Sequence, residues 1–452
     1  MRTRVGVALA RGLRLLVRRL GRGGGTTLPG RALLRLDGGA IERLGRRLEG
    51  GSVVVSATNG KTTTAAMIAG VLEAGGRPVV HNRAGSNMHW GVATALLDAG
   101  RAPDEIGLFE VDEAWLPTVA RALEPSVYLL ANLFRDQLDR YGELELVADR
   151  WAEVVAERTR GATLVLNADD PLIADLGRER ENVVYFGVAD DSQALPGLQH
   201  ASDSKHCRRC GHAYTYVVAY LGHLGRYHCP NCGRERPEPS VYAEKVELRG
   251  MSGSHVEIVA PAGRLSLDLP LPGLYNVYNA LAAAAASLEL GASLEEVRLG
   301  LEGTAAVFGR VETLVVAGRP VSILLVKNPA GANEVLRTLT LEDGSLDLWL
   351  ALNDGIADGR DVSWVWDADF EVLAGRVRRV TCSGTRAEEM ALRLKYAGID
   401  GPIEVERDLG RSLDSAVADG DGAPLYALPT YTALLELRDL LADRGLARPW
   451  AG

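Results

Sequence analysis

The chain has 452 residues and a formal net charge of −9; 47% of its residues are hydrophobic and 24% are charged. This length predicts two or three domains. The acidic balance argues against nucleic-acid binding, and there is no apolar run of the roughly 18 residues that a membrane helix needs. Five cysteines do not predict a secreted disulfide framework, so we expect a cytoplasmic protein.

The N-terminal segment, residues 1–48, begins with a basic helical pattern. Residues 1–22 carry seven arginines, and three of them interrupt the apolar core that an export signal would need. Apolar residues recur at helical spacing and predict one apolar face, formed by Leu9, Leu13, Leu16, Val17 and Leu20. This helix either docks on the first domain or makes peripheral contact with anionic lipid at the inner face of the membrane.

A phosphate-binding loop is predicted between the first strand pattern, SVVVS (52–56), and the helical pattern after it. In ATNGKTTT (57–64), Gly60 allows close backbone approach, and backbone N–H groups at a helix N-terminus bind phosphate. Lys61 would reach the β- and γ-phosphates of ATP, and the Thr62 hydroxyl would ligate Mg²⁺. The alternative is an ordinary helix N-terminus with a chance lysine.

The later strand patterns divide the chain into two α/β series. In the first, strands alternate with helices through residues 49–310, which predicts one ATP-binding domain with a mostly parallel sheet. Its further strands are RPVVHN, EIGLFEV, SVYLLANL and ATLVLNA, and later parts are β-rich hairpins and an Ala-rich helix at 273–291. The second series predicts an α/β domain over 311–452, with ETLVVAG, PVSILLV, DLWLALND, RRVTCSG and PLYALPT each followed by a helix.

A cysteine-rich insertion at 202–236 interrupts the first series. Cys207-x-x-Cys210 and Cys229-x-x-Cys232 have the spacing of a zinc ribbon, in which four thiolates converge on one tetrahedral Zn²⁺. Four cysteine ligands leave no open coordination position, so the predicted zinc is structural. The alternative is two labile disulfides.

Six ordered motifs make the chain similar to the Mur ligase family, whose members use ATP to convert a carboxylate into an acyl phosphate that an amine attacks. The motifs are TNGKTTT (58–64), ANLFRDQLDRYG (131–142), NADDP (167–171), GLYNVYNA (273–280), GRVE (309–312) and KNPAG (327–331). The resemblance covers nearly the whole chain. It implies an α/β fold with a Mur ligase-type central ATP-binding domain and a Mur ligase-like C-terminal domain.

The resemblance implies the ATP site residue by residue. The expected ATP contacts are Thr58, Asn59, Gly60, Lys61, Thr62, Thr63, Asn132, Asn279 and Arg310. Glu110 would bind Mg²⁺, with Asp112 and Glu113 as second candidates; Asn279 would contact adenine, and Arg310 would reach the phosphates across the domain cleft. Glu110 and Arg310 are therefore expected to be catalytic, because charge on the γ-phosphoryl group must be neutralised. The alternatives are a surface acid at Glu110 and a helix-capping role for Asn276 and Asn279.

Departures from the family pattern predict an unusual nucleophile. Gln137 stands where the family often has a histidine, which weakens or alters a second metal site. No lysine occurs between residues 132 and 200, where amino-acid-adding members carry a carbamylated lysine. Together with the four-Cys ribbon and LNDGIADGRDVSWVWDADFE (352–371), these departures make the chain similar to the MurT subfamily.

The MurT resemblance implies ATP-dependent amidation of the α-carboxylate of D-glutamate in the lipid II stem peptide, giving D-isoglutamine for the cell wall. Ammonia would come from glutamine through a GatD-like class I glutamine amidotransferase, in a heterodimer. An aspartate of this chain would orient the histidine of that partner's catalytic pair; we expect Asp361, with Asp358 as second candidate. The alternatives are a self-contained amino-acid or polyglutamate ligase and a non-catalytic zinc-ribbon module.

Overall fold

The computed structural model describes residues 2–19, 26–82, 86–136, 144–158, 161–200, 202–304, 310–418 and 422–447. The helices in these ranges are α1 (Arg2–Arg19), α2 (Leu28–Leu36), α3 (Ala40–Gly45), α4 (Lys61–Ala74), α5 (His89–Ala95), α6 (Leu116–Leu123), α7 (Leu144–Arg158), α8 (Pro171–Ala174), α9 (Leu274–Glu289), α10 (Leu294–Glu302), α11 (Pro329–Leu339), α12 (Ala387–Tyr396), α13 (Leu409–Ala418) and α14 (Tyr431–Asp443). The strands are β1 (Ser52–Ser56), β2 (Val79–His81), β3 (Ile106–Glu110), β4 (Val127–Leu130), β5 (Thr163–Asn167), β6 (Val183–Val188), β7 (Thr215–Leu221), β8 (Leu224–His228), β9 (Val241–Leu248), β10 (Ser254–Ala260), β11 (Gly263–Leu269), β12 (Arg310–Val316), β13 (Arg319–Leu324), β14 (Leu346–Ala351), β15 (Val377–Ser383), β16 (Ile403–Val405) and β17 (Leu425–Pro429).

The first sheet has the predicted, mostly parallel architecture. In the described part of the chain it has nine strands in the order β11-β10-β9-β6-β5-β4-β1-β3-β2, and β10 pairs antiparallel with β9 and β11. All residues of β1, β3 and β4 are buried, because these central strands are apolar runs with helices packed on both faces. The carboxyl ends of the parallel strands meet at one edge, where α/β proteins place their ligand sites.

Helices α4, α9 and α10 pack together on one face of this sheet. The Ala-rich part of α9 is buried, since its methyl side chains allow close packing between α4 and the strands. A Cβ atom at Gly300 would lie 2.4 Å from the Val71 backbone, so α10 can approach α4 only because residue 300 is glycine. This packing fixes the start of α4, directly after the predicted phosphate loop.

The N-terminal helix α1 docks on the first domain, which agrees with one of the two interpretations of the sequence. Arg14 donates to the Asp98 carboxylate at 2.8 and 2.9 Å, and Arg11 Nε donates to the Leu97 carbonyl at 3.0 Å. Among the described residues, no helix combines the length and apolar composition that a membrane span requires.

The apolar face predicted for α1 is divided in its surroundings: Leu13 and Val17 are half-buried, and Leu20 lies outside the described residues. The helix buries Val7 and Ala10, whereas Leu9 and Leu16 are exposed. Arg11 and Arg14 lie toward the domain because they find acceptors there, so the helix turns its small residues inward and its larger apolar residues outward.

The second sheet forms the core of the C-terminal series. Its described strands run in the order β12-β13-β17-β14-β15-β16, and all neighbours are parallel except β12 and β13. The expected strands are present, but the prediction that a helix follows each of them is wrong for β12. Ala317 and Gly318 have φ angles of 48° and 85°, which a tight hairpin turn requires, so β12 leads directly into β13.

Candidate active site

The loop after β1 has the geometry of a phosphate-binding turn. The Thr58 N–H donates to the Asn132 carbonyl at 3.1 Å. The Asn132 side chain holds the Asn59 backbone by accepting from its N–H at 2.9 Å and donating to its carbonyl at 3.0 Å. Gly60 has a φ of 89°, and a Cβ atom there would lie 2.0 Å from Asn279 Oδ1, so only glycine suits this position. Helix α4 begins at the next residue, and its first N–H groups have no acceptor within the helix.

Lys61 is buried and paired with acids. Its ammonium group donates to Glu113 Oε2 at 2.9 Å and to the Ala57 carbonyl, and it lies 3.6 Å from Asp112 Oδ1. Burial favours the neutral amine, but the carboxylates of Glu113 and Asp112 outweigh it and raise the pKa of Lys61 above its ordinary value. Burial also opposes ionisation of Glu113, whose pKa Lys61 nevertheless lowers. Asp112 and Glu113, the second candidates for the metal, therefore hold a charged lysine beside the loop.

Glu110 ends β3 at the same sheet edge, and its side chain is fully buried. The Thr62 hydroxyl donates to Glu110 Oε2 at 2.8 Å, and the Asn82 side chain bonds both the N–H and the carbonyl of Glu110 at 2.9 Å. Oε1 lies 3.5 Å from His81 Nε2, and neither atom has a hydrogen-bond partner among the described residues. A hydroxyl beside a carboxylate with an unpaired oxygen fits the hard oxygen ligands that Mg²⁺ prefers.

A cleft opens beside the loop, between the two domains. Its lining includes Asn59, Gly60 and Thr63 from the loop and α4, and the larger side chains of Phe134, Leu224 and Tyr275. Asn279 also lines the cleft; it accepts from Thr64 Oγ1 at 3.2 Å and donates to Asn276 at 3.1 Å, which ties α9 to α4. Because Gly273 occupies the N-cap of α9, Asn279 is not its cap. An apolar cleft beside a phosphate loop can accommodate the base of a nucleotide.

The C-terminal domain contacts the loop directly. The side chains of Asn59 and Asn328 exchange hydrogen bonds of 3.0 and 3.2 Å. Lys327 pairs with Asp136, and its Nζ donates to the Thr58 carbonyl at 3.3 Å. The sequence predicted no role for these KNPAG residues, because nothing local indicates contact with a loop 269 positions earlier.

Asn82 holds the backbone of Glu110 and His81 faces its side chain, but neither residue was in the predicted site. Their place at the end of a parallel strand was the signal that could have identified them.

The backbone of Arg310 begins β12 and pairs with Leu324, which lines the cleft. The Arg310 side chain and residues 137–143 lie outside the described residues, so the phosphate contact of Arg310 stays a prediction.

The four cysteines of the insertion converge, as the spacing predicts. Their sulfur atoms lie within 4.8 Å of one another, with 3.6 Å between Cys207 and Cys232 and 3.4 Å between Cys210 and Cys229. A disulfide needs about 2.05 Å, whereas the edge of a zinc–thiolate tetrahedron is about 3.8 Å. The glycine after each pair donates to the carbonyl of the first cysteine in that pair, at 2.7 and 3.0 Å, and closes each turn. The donor set therefore fits a structural Zn²⁺.

The two aspartates expected to serve a partner's catalytic pair differ in their surroundings. Asp358 is only 7% exposed; it accepts from the Thr432 N–H at 2.9 Å and from the Thr432 hydroxyl, and so holds the start of α14. Asp361 is exposed and accepts a local hydrogen bond from the Ser363 N–H at 2.9 Å. It lines a second cleft that Lys327 and Asp358 also line. Asp361 is thus the more accessible of the two carboxylates.

The fold resembles solved structures of Mur ligases. A pseudomurein peptide ligase type C from Methanothermus fervidus aligns with a TM-score of 0.70 and 22% identity, covering 88% of this chain and 79% of that one. MurF from Acinetobacter baumannii aligns with a TM-score of 0.67 and 18% identity, covering 92% and 80%. These likenesses confirm the expected Mur ligase-type fold.

The sequence matches two protein families. Residues 55–233 match the Mur ligase middle domain, and residues 325–434 match the MurT ligase C-terminal family. The MurT subunit of lipid II isoglutaminyl synthase (glutamine-hydrolyzing) from Staphylococcus aureus is 33% identical over 447 residues, covering 98% of each chain. The corresponding subunit from Streptococcus pneumoniae is 32% identical over 456 residues, covering 99% of each. This chain therefore belongs to the MurT family of Mur ligases.

Proposed function

We propose that this chain is the ATP-dependent ligase subunit of a lipid II isoglutaminyl synthase, a carbon–nitrogen ligase with glutamine as amido-N donor. It amidates the α-carboxylate of D-glutamate in the lipid II stem peptide to D-isoglutamine, a step of peptidoglycan synthesis. Identity of 33% over 98% of the chain to a subunit of that name carries the proposal.

The loop and the end of β3 supply groups for the first half-reaction. A carboxylate oxygen of D-glutamate attacks the γ-phosphorus of ATP, ADP leaves, and an acyl phosphate forms. Lys61, which acids hold in its charged form, and the first N–H groups of α4 neutralise the phosphates. Thr62 and Glu110 would hold Mg²⁺, which when bound neutralises phosphate charge. Ammonia then attacks the carbonyl carbon, and phosphate leaves with the bonding electron pair.

We infer that ammonia comes from a GatD-like class I glutamine amidotransferase seated on the C-terminal domain. Asp361 is accessible there and would orient the histidine of the partner's Cys–His pair. The cleft that Asp361 lines also contains Lys327, whose Nζ reaches the Thr58 carbonyl of the loop. A partner docked over Asp361 would therefore release ammonia near the acyl phosphate. Asp358, which is occupied at α14, is the poorer candidate.

We further infer that α1 rests on an anionic membrane surface, where lipid II resides. Within residues 5–17 of α1, where the structure describes side-chain burial, the exposed positions are all apolar: Val5, Ala8, Leu9, Gly12, Leu15 and Leu16. The helix contains no acidic residue, and arginines occur at both of its ends. An apolar stripe with flanking arginines is the pattern of a helix lying in the lipid headgroup region. Leu9 is 58% exposed and Leu16 is 53% exposed, so both are free to enter a bilayer.

Reconstitution tests the proposed reaction. The chain, a GatD-like partner, lipid II, glutamine and MgATP should give amidated lipid II by mass spectrometry, and ammonium should replace glutamine when the partner is omitted. If no amidated lipid II forms with glutamine or with ammonium, the proposal is overturned. Incorporation of an added amino acid would instead favour a self-contained ligase. Lys61→Ala should abolish amidation; full activity in this variant would favour the non-catalytic module.

A further inference from the structure

Glu334 is a buried carboxylate whose oxygens lack a hydrogen-bond partner among the described residues. It lies on α11 and is 1% exposed. Arg337 Nη1 lies 3.9 Å from Oε1, but this guanidinium already donates to the carbonyls of Tyr220 and Gln193 at 2.9 and 3.0 Å. Burial raises the pKa of Glu334 to about 7, against the lowering effect of Arg337.

The neighbouring residue shows how unusual this is. Asn333 is equally buried, yet its amide group donates to Asp369 at 2.8 Å and accepts from the Asp369 N–H at 2.7 Å. Burial of a polar group without a partner costs about 1–3 kcal/mol, and more when the group is charged. A ligand in the adjacent cleft could therefore complete the hydrogen bonds that the surrounding protein does not make to the Glu334 carboxyl.

Glu334 lines the cleft that begins at the phosphate loop. Gly60 and Asn279 belong to the same cleft, and Leu224, Tyr275 and other large side chains form its walls. A nucleotide with its phosphates on the loop would extend its base into this cleft. The polar groups that such a base offers are its ring nitrogens and its exocyclic amino or carbonyl group.

We propose that Glu334 selects adenine by accepting a hydrogen bond from the exocyclic N6 amino group of bound ATP. This assignment rests on the proposed function, in which ATP occupies the loop. Adenine presents the exocyclic N6 amino group, and an ionised carboxylate, which has no proton to donate, accepts a hydrogen bond from it. Guanine presents the O6 carbonyl in place of that amino group, and because the carboxylate has no proton to donate, its oxygen lone pairs would face those of O6.

Direct nucleotide binding tests the assignment without a measurement of activity. MgADP and MgGDP are titrated calorimetrically into the full chain with its glutaminase partner, for the wild type, Glu334→Gln and Glu334→Leu. A Gln amide can present either its donor or its acceptor, so Glu334→Gln should lose about tenfold or more of the preference for ADP by gaining affinity for GDP. Glu334→Leu should lose about tenfold in ADP affinity without gaining GDP affinity. Glu289→Gln, an exposed change on α9, is the matched control and should keep the wild-type ratio.

The possible results separate the two ideas. If the wild type binds ADP and Glu334→Gln keeps the same ADP-to-GDP ratio, Glu334 does not read the base, and the proposed function stands. If the wild type binds no ADP, the proposed function is overturned and this assignment with it. Thermal unfolding checks the variants: because the change removes a buried carboxyl without a hydrogen-bond partner among the described residues, Glu334→Gln should unfold at or above the wild-type temperature.

Discussion

The hydroxyl of Thr62 donates a 2.8 Å hydrogen bond to the carboxylate of Glu110, and this bond joins the first turn of α4 to the end of β3. It places two oxygen atoms side by side at the sheet edge, next to the phosphate loop. The Asn82 side chain fixes the Glu110 backbone on both sides. Such a pair is preorganised for a hard cation, because its supporting hydrogen bonds hold it in place.

Removing either oxygen ligand should therefore disable the ligase. We expect Glu110→Gln and Thr62→Val to lower the amidation rate about 100- to 1000-fold, because charge on the transferred phosphoryl group would be poorly neutralised. Thr62→Ser retains the hydroxyl and should stay within about tenfold of the wild type. Amidation rates measured over a Mg²⁺ titration check this; wild-type rates in Glu110→Gln would exclude Glu110 from the metal site.

Substitution of Glu113 should change how stability depends on pH. Lys61 lowers the pKa of Glu113 below its ordinary value of 4.5 despite burial, so the ionised carboxylate contributes stability that is present above pH 4.5. That contribution is lost as the pH falls through the lowered folded-state value. Glu113→Gln should therefore be less stable than the wild type at neutral pH, by roughly 1–3 kcal/mol, and the two should converge in acid. Denaturant unfolding at a series of pH values from neutral downward measures the difference in unfolding free energy between the two proteins. A difference that stays the same at every pH would contradict the prediction.

The first domain could be predicted well because its signals are local. The apolar strand before ATNGKTTT (57–64) and the pairwise spacing of the cysteines each describe a structure within a few dozen residues. The hairpin between β12 and β13 also had a local signal, the positive-φ pair Ala317–Gly318, but a strand followed by a helix was expected there. Turn chemistry outweighed the repeating strand–helix pattern.

The interdomain part of the site could not be predicted from the sequence. The pairing of Asn59 with Asn328 depends on how two separately folded domains meet. The sequence of α11 does not show that Glu334 is buried, because a glutamate in a helix is usually exposed. Its burial becomes informative only because the side chain lines the cleft. The sequence also did not show which side of α1 meets the domain, because the acceptors of Arg11 and Arg14 at Leu97 and Asp98 lie far away along the chain.

The cysteine cluster should bind one zinc ion per chain. Cys229→Ser should lose that zinc and unfold at a lower temperature, since the metal holds both knuckle turns and the β7–β8 sheet together. Cys382→Ser is the matched control, because this buried thiol lies in β15, away from the cluster. Elemental analysis and thermal unfolding measure both effects. Full zinc content in Cys229→Ser would contradict a four-cysteine site.

The outward face of α1 should bind anionic vesicles. We expect the double variant Leu9→Glu, Leu16→Glu to lose at least about tenfold in binding to phosphatidylglycerol-containing vesicles, because two apolar contacts become charged. Leu299→Glu changes a 48% exposed leucine on α10 and should bind as the wild type does. Sedimentation with vesicles measures the difference. Equal binding by all three proteins would exclude α1 as the membrane contact.

Asp361 and Asp358 lie three positions apart, and their substitution should affect different properties of the protein. Asp361→Asn should abolish glutamine-dependent amidation and spare ammonium-dependent amidation, because the exposed carboxylate would act only on the partner's histidine. Asp358→Asn should leave the ratio of the two activities unchanged and lower stability by about 1–2 kcal/mol, because it weakens the hydrogen bonds to Thr432 at the start of α14. Measuring both nitrogen sources and thermal unfolding for each variant separates a role at the interface from a role in folding. Equal loss of both activities in Asp361→Asn would remove this residue from the partner's catalytic site, and selective loss of glutamine use in Asp358→Asn would assign that role to Asp358.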